Sequence, residues 1–223
     1  MEIYIVRHGE SLSNIGESDD LDSNLSPIGE RQAECLGQFL KDIKFDKIYS
    51  SHLTRAVQTA AAIAKYQPDM PKIIVVPAFS ETGTPENYEA KTDLHKKFYS
   101  NIKYTTTKIG KDSGGDIVRL EAALDKYVNI PAYTNATEVE NRDGFEKKNN
   151  PQRILISAHG AANAVLLSCM INFRFDINMN VVQHNTCVNK LELFLYNEIT
   201  RVRFLRYNDV THLPDELRAE GQF

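Results

Sequence analysis

The sequence predicts an α/β fold: a three-layer sandwich with a mostly parallel central sheet, an antiparallel edge hairpin and a helical cap insertion. Three observations carry this. Short β-branched runs alternate with stretches of helical periodicity, the pattern of strands joined by crossover helices. Two late strand-like runs, Val188 to Tyr196 and Thr200 to Tyr207, flank Asn197-Glu198 and predict a hairpin. The polar stretch from Thr82 to Gln152, with Gly110, Gly114, Gly115 and Pro131, breaks the alternation. It reads as a cap (residues 82–152) inserted within one domain (residues 1–223).

Taken in order, Glu2 to Val6 (EIYIV) is a short buried strand that opens into the polar loop Arg7-His8-Gly9-Glu10. Ser26-Pro27-Ile28-Gly29-Glu30 combines a serine N-cap, a proline at the first helical position and an early glutamate. Ala33, Leu36, Gly37 and Leu40 follow at helical spacing, predicting a helix to about Asp42. Phe45 to Ser50 is a second strand, Leu53 through Lys65 an alanine-rich helix, and Ile73 to Val76 a third strand. Within the insertion, helices are expected near Glu86 to Tyr104 and Ile117 to Tyr127. Arg153 to Ser157 is the next strand, Ala158-His159-Gly160 a turn, and Ala161 to Met170 a helix. The tail beyond Leu213 is polar and is expected to pack loosely.

Composition narrows the function classes. The 223 residues are 42% hydrophobic and 25% charged, near the globular average, so the chain is expected to fold. Twenty-six Lys and Arg against 30 Asp and Glu give a net charge of −4, which disfavours nucleic acid as a partner but leaves room for a local cationic pocket. Cys35, Cys169 and Cys187 lack metal-ligand spacing, and their odd number cannot complete a disulfide framework, which suits a reducing cytoplasm. The longest apolar-rich stretch, Ala161 to Phe173, is interrupted by Asn163 and Ser168 and is too short to span a bilayer, so no membrane association is expected.

The chemistry concentrates in two segments of the same form. Arg7-His8-Gly9 follows the first strand, and His159-Gly160 follows the strand after the insertion. Open α/β sheets bind ligands beyond the carboxyl ends of their strands, so the two histidines are expected to face one pocket. The glycine after each lets backbone amides approach a bound oxyanion.

Arg7-His8-Gly9-Glu10, Leu25-Ser26-Pro27 with Gly29 and Gln32-Ala33, Ser50-Ser51 through Arg55-Ala56, Gln58-Thr59-Ala60, Glu81 and His159-Gly160 together resemble the histidine phosphatase (phosphoglycerate mutase-like) superfamily. Asn185-Thr186, Arg206-Tyr207-Asn208 and Thr211-His212-Leu213 resemble its broad-specificity phosphatase branch. The resemblance covers the chain outside Thr82 to Gln152. It implies that His8 is a nucleophile forming a phosphohistidine, with Arg7 and Arg55 gripping phosphate and keeping the ring neutral by like-charge repulsion. It also implies that His159 stabilises the transition state, that Asn14 and Gly160 contact the phosphoryl group, and that Glu81 protonates the leaving oxygen and then activates water.

A carboxyl beside phosphate is expected to have a raised pKa. After Glu81 the chain reads Thr82-Gly83-Thr84-Pro85-Glu86 and lacks the family's tryptophan-glutamate pair, which leaves Glu86 and Glu89 as alternatives for the acid. No cofactor or metal is expected, and the implied partner is a small phosphorylated substrate. A mutase that returns the phosphoryl group to substrate, or a noncatalytic phospho-ligand module, are the competing readings. Arg55 is placed at an exposed helix start, and His52, His95, His184 and His212 are read as structural or solvated. The lysines between Lys91 and Lys111 read as a solvated helix face ahead of a steering patch.

Overall fold

The structure is a computed structural model that describes residues 1–85, 88–106, 115–128, 151–171, 181–196 and 199–218. In chain order it runs β1 (Glu2–Arg7), α1 (Pro27–Phe39), β2 (Lys47–Ser50), α2 (Thr54–Lys65), β3 (Ile73–Val75), α3 (Thr92–Phe98), β4 (Ile102–Tyr104), α4 (Asp116–Ala123), β5 (Arg153–Ala158), α5 (Gly160–Met170), β6 (Val188–Tyr196) and β7 (Ile199–Asp209). The seven strands form one sheet in the order β4-β3-β2-β5-β1-β6-β7. The first five in that row pair in parallel, and β6 and β7 complete the edge as the expected antiparallel hairpin.

Period-two alternation along the strands builds two cores. Ile3, Ile5, Ile154 and Ile156 pack on one face with Leu120, Leu124, Leu166 and Met170 of the α4–α5 layer. Tyr4, Val6, Ile48 and Leu155 point to the other face, against Leu36, Val57, Ala60 and Ile63 of α1 and α2. Each fully buried Leu or Ile contributes roughly 1.5–3 kcal/mol from the apolar area it removes from water. Three layers result, with the carboxyl ends of β1, β2 and β5 adjacent at one rim of the sheet.

Local chemistry sets the ends of α1. Ser26 Oγ accepts the Gly29 N–H at 3.0 Å, a cap worth about 1 kcal/mol, and Pro27 occupies the first helical position. The same hydroxyl donates to Glu10 Oε1 at 2.6 Å, so the cap also ties the helix to the loop after β1.

The structure corrects three expectations. The region read as one helix from Glu86 to Tyr104 holds a shorter helix, α3, and then β4, which pairs in parallel with β3 and extends the central sheet. The described residues 88–106 are therefore not wholly helical, because a three-residue strand can satisfy its backbone on an open sheet edge. The tail is not loose through residue 218: Leu213 and Leu217 are buried, and Gln32 Nε2 donates to the Leu217 carbonyl at 2.8 Å. Arg55 is not at an exposed helix start, since the loop around Leu21 and Asp22 covers that end of α2 and leaves Arg55 6% exposed. No helix among the described residues is long and apolar enough to cross a membrane.

Candidate active site

β1 and β5 are direct neighbours, with Arg7 in register with Ala158, so the residues that follow each strand emerge side by side. His8 N–H donates to the Ala158 carbonyl at 3.0 Å, and His159 is the next residue and the N-cap of α5. The two imidazoles lie 5.1 Å apart between ring centroids at an interplanar angle of 62°. Both rings are buried.

The hydrogen bonds of His8 select its tautomer. Nδ1 lies 2.6 Å from the Gly9 carbonyl, which can only accept, so Nδ1 carries the proton. Nε2 is then a lone pair, and Arg55 Nε donates to it at 3.1 Å. Burial first, then the Arg55 and Arg7 charges, hold the imidazole well below its ordinary pKa, keeping the ring neutral near pH 7.

Two arginines frame this ring. Arg55 comes from the first turn of α2, and its Nη1 donates to the Leu21 carbonyl at 2.7 Å. Arg7 is anchored by Nη1 on the Gln183 carbonyl, while its Nε has no protein partner. Burial pulls both guanidinium pKa values down, and the Glu81 charge opposes this in both, which places Glu81 within electrostatic reach of the pair. Arginine stays cationic under such shifts.

His159 Nε2 lies 2.8 Å from Ser51 Oγ, and that hydroxyl also accepts the Leu53 N–H at 3.2 Å. When the Ser51 hydroxyl donates its hydrogen bond to Nε2, that nitrogen is unprotonated and Nδ1, which has no protein partner, carries the proton as a donor. Burial, then Arg55 and His8, lower the His159 pKa strongly. Gly160 opens α5 directly against Arg7, whose Nε would be 3.6 Å from a Cβ built on the glycine.

Glu81 follows the short helical turn Pro77–Phe79 beyond β3. Its Oε1 accepts from Thr82 N–H at 2.9 Å and from Ala162 N–H, in the first turn of α5, at 3.0 Å. The carboxylate thus sits at a helix N-terminus, the favourable end for a negative charge. Glu89 is exposed, and Glu86 lies outside the described residues. Asn14 is half-buried, and its Oδ1 accepts from Ser11 N–H at 3.1 Å and from Asn185 Nδ2 at 3.5 Å.

Of the seven residues singled out in the sequence, Arg7, His8, Arg55, His159 and Gly160 lie together, Glu81 joins them through the first turn of α5, and Asn14 meets them through Asn185. Several supports were not foreseen. Asn185 Nδ2 donates to the His8 carbonyl at 3.0 Å, and Gly9 N–H donates to Thr59 Oγ1 at 3.1 Å. Asp22 accepts the Thr54 N–H at the start of α2 and faces Lys91, which also pairs with Asp20 at 2.7 Å. Lys91 is thus an ion-pair residue, Lys96 faces Asp93, and Lys108 and Lys111 lie outside the described residues. His52 and His95 are fully buried, as a structural role requires.

The family model described as histidine phosphatase superfamily (branch 1) matches residues 3–208. A broad-specificity phosphatase of Saccharomyces cerevisiae is 35% identical over 138 residues, covering 57% of this chain and 58% of that protein. A fructose-2,6-bisphosphatase TIGAR of Xenopus tropicalis is 45% identical over 64 residues, 27% of this chain and 23% of that protein. The chain spans about a quarter of the length of the first curated relatives it matches. Among solved structures, a phosphoserine phosphatase mutant of Entamoeba histolytica in complex with phosphoserine superposes with a TM-score of 0.57 at 21% identity, covering 96% of this chain and 99% of that one.

Proposed function

The chain belongs to the histidine phosphatase superfamily (branch 1), and from that premise we propose that it is a phosphomonoester hydrolase acting through a phosphohistidine on His8. The observation that carries the reading is the tautomer of His8. Its Nδ1 proton is held by the Gly9 carbonyl, and its Nε2 lone pair is directed at the buried Arg55, with the charge of the buried Arg7 also acting on the ring. A neutral, oriented imidazole in a cationic pocket is what attack on a phosphate dianion requires.

In the first step Nε2 attacks phosphorus, the bond to the leaving oxygen breaks, and that oxygen takes a proton from the Glu81 carboxyl. In the second, Glu81 as carboxylate removes a proton from water, the water oxygen bonds to phosphorus, and the P–N bond breaks to release inorganic phosphate. Ala162 N–H holds Oε1, leaving Oε2 for the proton. Arg7, Arg55 and His159 Nδ1–H supply donors to the equatorial oxygens, aided by Asn14 and the amide end of α5 at Gly160. The substrate class is a small phosphomonoester, in keeping with the phosphatase names among its relatives. A cytoplasmic location fits the cysteine usage.

The test is covalent. Rapid quenching with a phosphorus-labelled monoester should trap acid-labile, base-stable phosphate on the wild-type chain, and His8→Ala should abolish both the label and turnover. Undiminished turnover in a folded His8→Ala protein would refute the mechanism.

A further inference from the structure

Helix α4, from the insertion, reaches the acid through two side chains. Arg119 is 5% exposed and donates through Nη1 to the carbonyls of Ala78 at 3.1 Å and Ser80 at 3.2 Å. Its Nη2 donates to the Glu81 carbonyl at 3.4 Å and to Asp116 Oδ1 at 2.6 Å. Asp116 Oδ2 in turn accepts the Gly83 N–H at 3.0 Å. One helix therefore grips the backbone before, at and after Glu81, and Thr84 Oγ1 closes the turn on the Glu81 carbonyl at 2.8 Å.

Burying a guanidinium is costly, and packing alone would be served as well by an apolar side chain of similar volume beside Leu120 and Ala123. This cation instead directs its bonds at the main chain that carries the acid. Planar, charge-assisted donors fix the positions of several acceptors at once, which a single neutral hydrogen bond does not.

We propose that Arg119 is a positioning residue for the acid–base step. It fixes residues 78–81 so that the carboxyl, held at Oε1 by Ala162 N–H, presents Oε2 to the leaving oxygen. The inference rests on the reading of Glu81 as the acid. It also makes the placement of the insertion part of the chemistry, because α4 cannot shift without carrying the Glu81 backbone with it.

The experiment compares glycerol phosphate, whose alkoxide must be protonated, with 4-nitrophenyl phosphate, whose leaving group hardly needs it. For Arg119→Met, kcat/KM on glycerol phosphate should fall about 10- to 100-fold, while kcat/KM on the aryl ester, which reports only the steps up to loss of the leaving group and not the later activation of water by Glu81, should stay within about 3-fold. Arg119→Lys should recover part of the loss. In a Glu81→Gln background, Arg119→Met should cost nothing further on glycerol phosphate, since both changes act on one proton transfer. Equal losses on the two esters, or losses that multiply with Glu81→Gln, would overturn the proposal. Should Arg119→Met fail to fold by circular dichroism, Asp116→Ala carries the same comparison, because it frees Gly83 and one arm of Arg119 from a partly exposed first turn. A Glu81→Gln enzyme that does not itself distinguish the esters would remove the acid reading and this inference with it. A normal Glu81→Gln response beside a flat Arg119 response removes the inference alone.

Discussion

Replacing Gly29 with alanine should damage both the fold and the rate, because the new methyl group has nowhere to go. A Cβ at Gly29 would lie 1.9 Å from the Glu10 carbonyl oxygen and 2.8 Å from the Glu10 N and C atoms. On the facing strand end, a Cβ at Gly9 would lie 2.5 Å from the Gly29 carbonyl oxygen. Main chain meets main chain here, so no flexible side chain can yield. Ordinary contact begins at 3.4 Å, so α1 and the loop after β1 must separate by about 1.5 Å. That movement breaks the bond from Ser26 N–H to the Glu10 carbonyl, now 2.9 Å, and displaces the segment that carries His8.

Overpacking with the lost hydrogen bond should cost about 3 kcal/mol, or roughly 6–12 °C of Tm for a chain of this size. A displacement near 1 Å at the nucleophile should lower kcat about 100-fold. Gly160→Ala is the control: its Cβ would meet Arg7 Nε at 3.6 Å, an ordinary contact, and Tm should stay within about 2 °C. Thermal unfolding by circular dichroism and turnover of 4-nitrophenyl phosphate read both effects. A Gly29→Ala protein with wild-type Tm and kcat would refute the rigid contact between α1 and the His8 loop.

Two further outcomes follow from the same geometry. Glu81→Gln should lower kcat/KM for glycerol phosphate by roughly 10²–10⁴ and kcat/KM for 4-nitrophenyl phosphate much less, kcat/KM being the readout because kcat also contains the water-activating step assigned to Glu81, whereas Glu89→Gln, an exposed position, should change neither; the reverse pattern moves the acid to Glu89. The second is acid sensitivity: burial foremost pushes the pKa of both His52 and His95 down to about 4, so the unfolded chain, titrating near 6.5, binds protons first as pH falls. Their contribution to stability is therefore complete above pH 6.5 and is lost between there and about pH 4. Tm should decline through that window, and His52→Leu, which removes an imidazole whose nitrogens have no hydrogen-bond partner, should flatten the decline; an unchanged slope would show that His52 titrates normally in the folded chain.

The parts of the site that were legible in the sequence are those where a local signal coincides with a strand end. His8 and His159 each follow an apolar run and precede a glycine, and α1 carries its cap in Ser26-Pro27. Arg119 was not legible. In DIVRLEAA it looks like a solvent-facing charge on an amphipathic helix, and its acceptors are backbone carbonyls of residues 78, 80 and 81, which leave no mark in composition. The burial of Arg55 was missed for a related reason: Leu21 and Asp22, distant in sequence, close over the start of α2 through a carbonyl and a carboxylate. β4 escaped notice because Ile102-Lys103-Tyr104 is too short to display an alternating pattern.

The order of strands explains why a neutral His8 is still well placed for the nucleophilic role proposed for it. β5 lies between β1 and β2, so His8 at the end of β1, His159 after β5 and Arg55 after β2 come from three adjacent strand ends and need no long loops to meet. Short connections are stiff, and stiffness is what electrostatic stabilisation of a transition state requires, since dipoles that must reorganise lose much of their effect. The His8 carbonyl shows how far this goes: it accepts from Asn185 Nδ2 at 3.0 Å and from Thr186 N–H at 3.3 Å. To deliver both donors Thr186 adopts a φ of +55°, a left-handed conformation that costs a β-branched residue roughly 1–2 kcal/mol. Under the proposed mechanism that strain sits where it holds the nucleophile's own main chain. Under the same proposal Glu81 has two supports: its main chain is held by Arg119 of α4, and its carboxylate rests on Ala162 N–H in the turn of α5 that begins at Gly160, so the proton donor shares one support with the phosphoryl-binding residues and takes the other from α4.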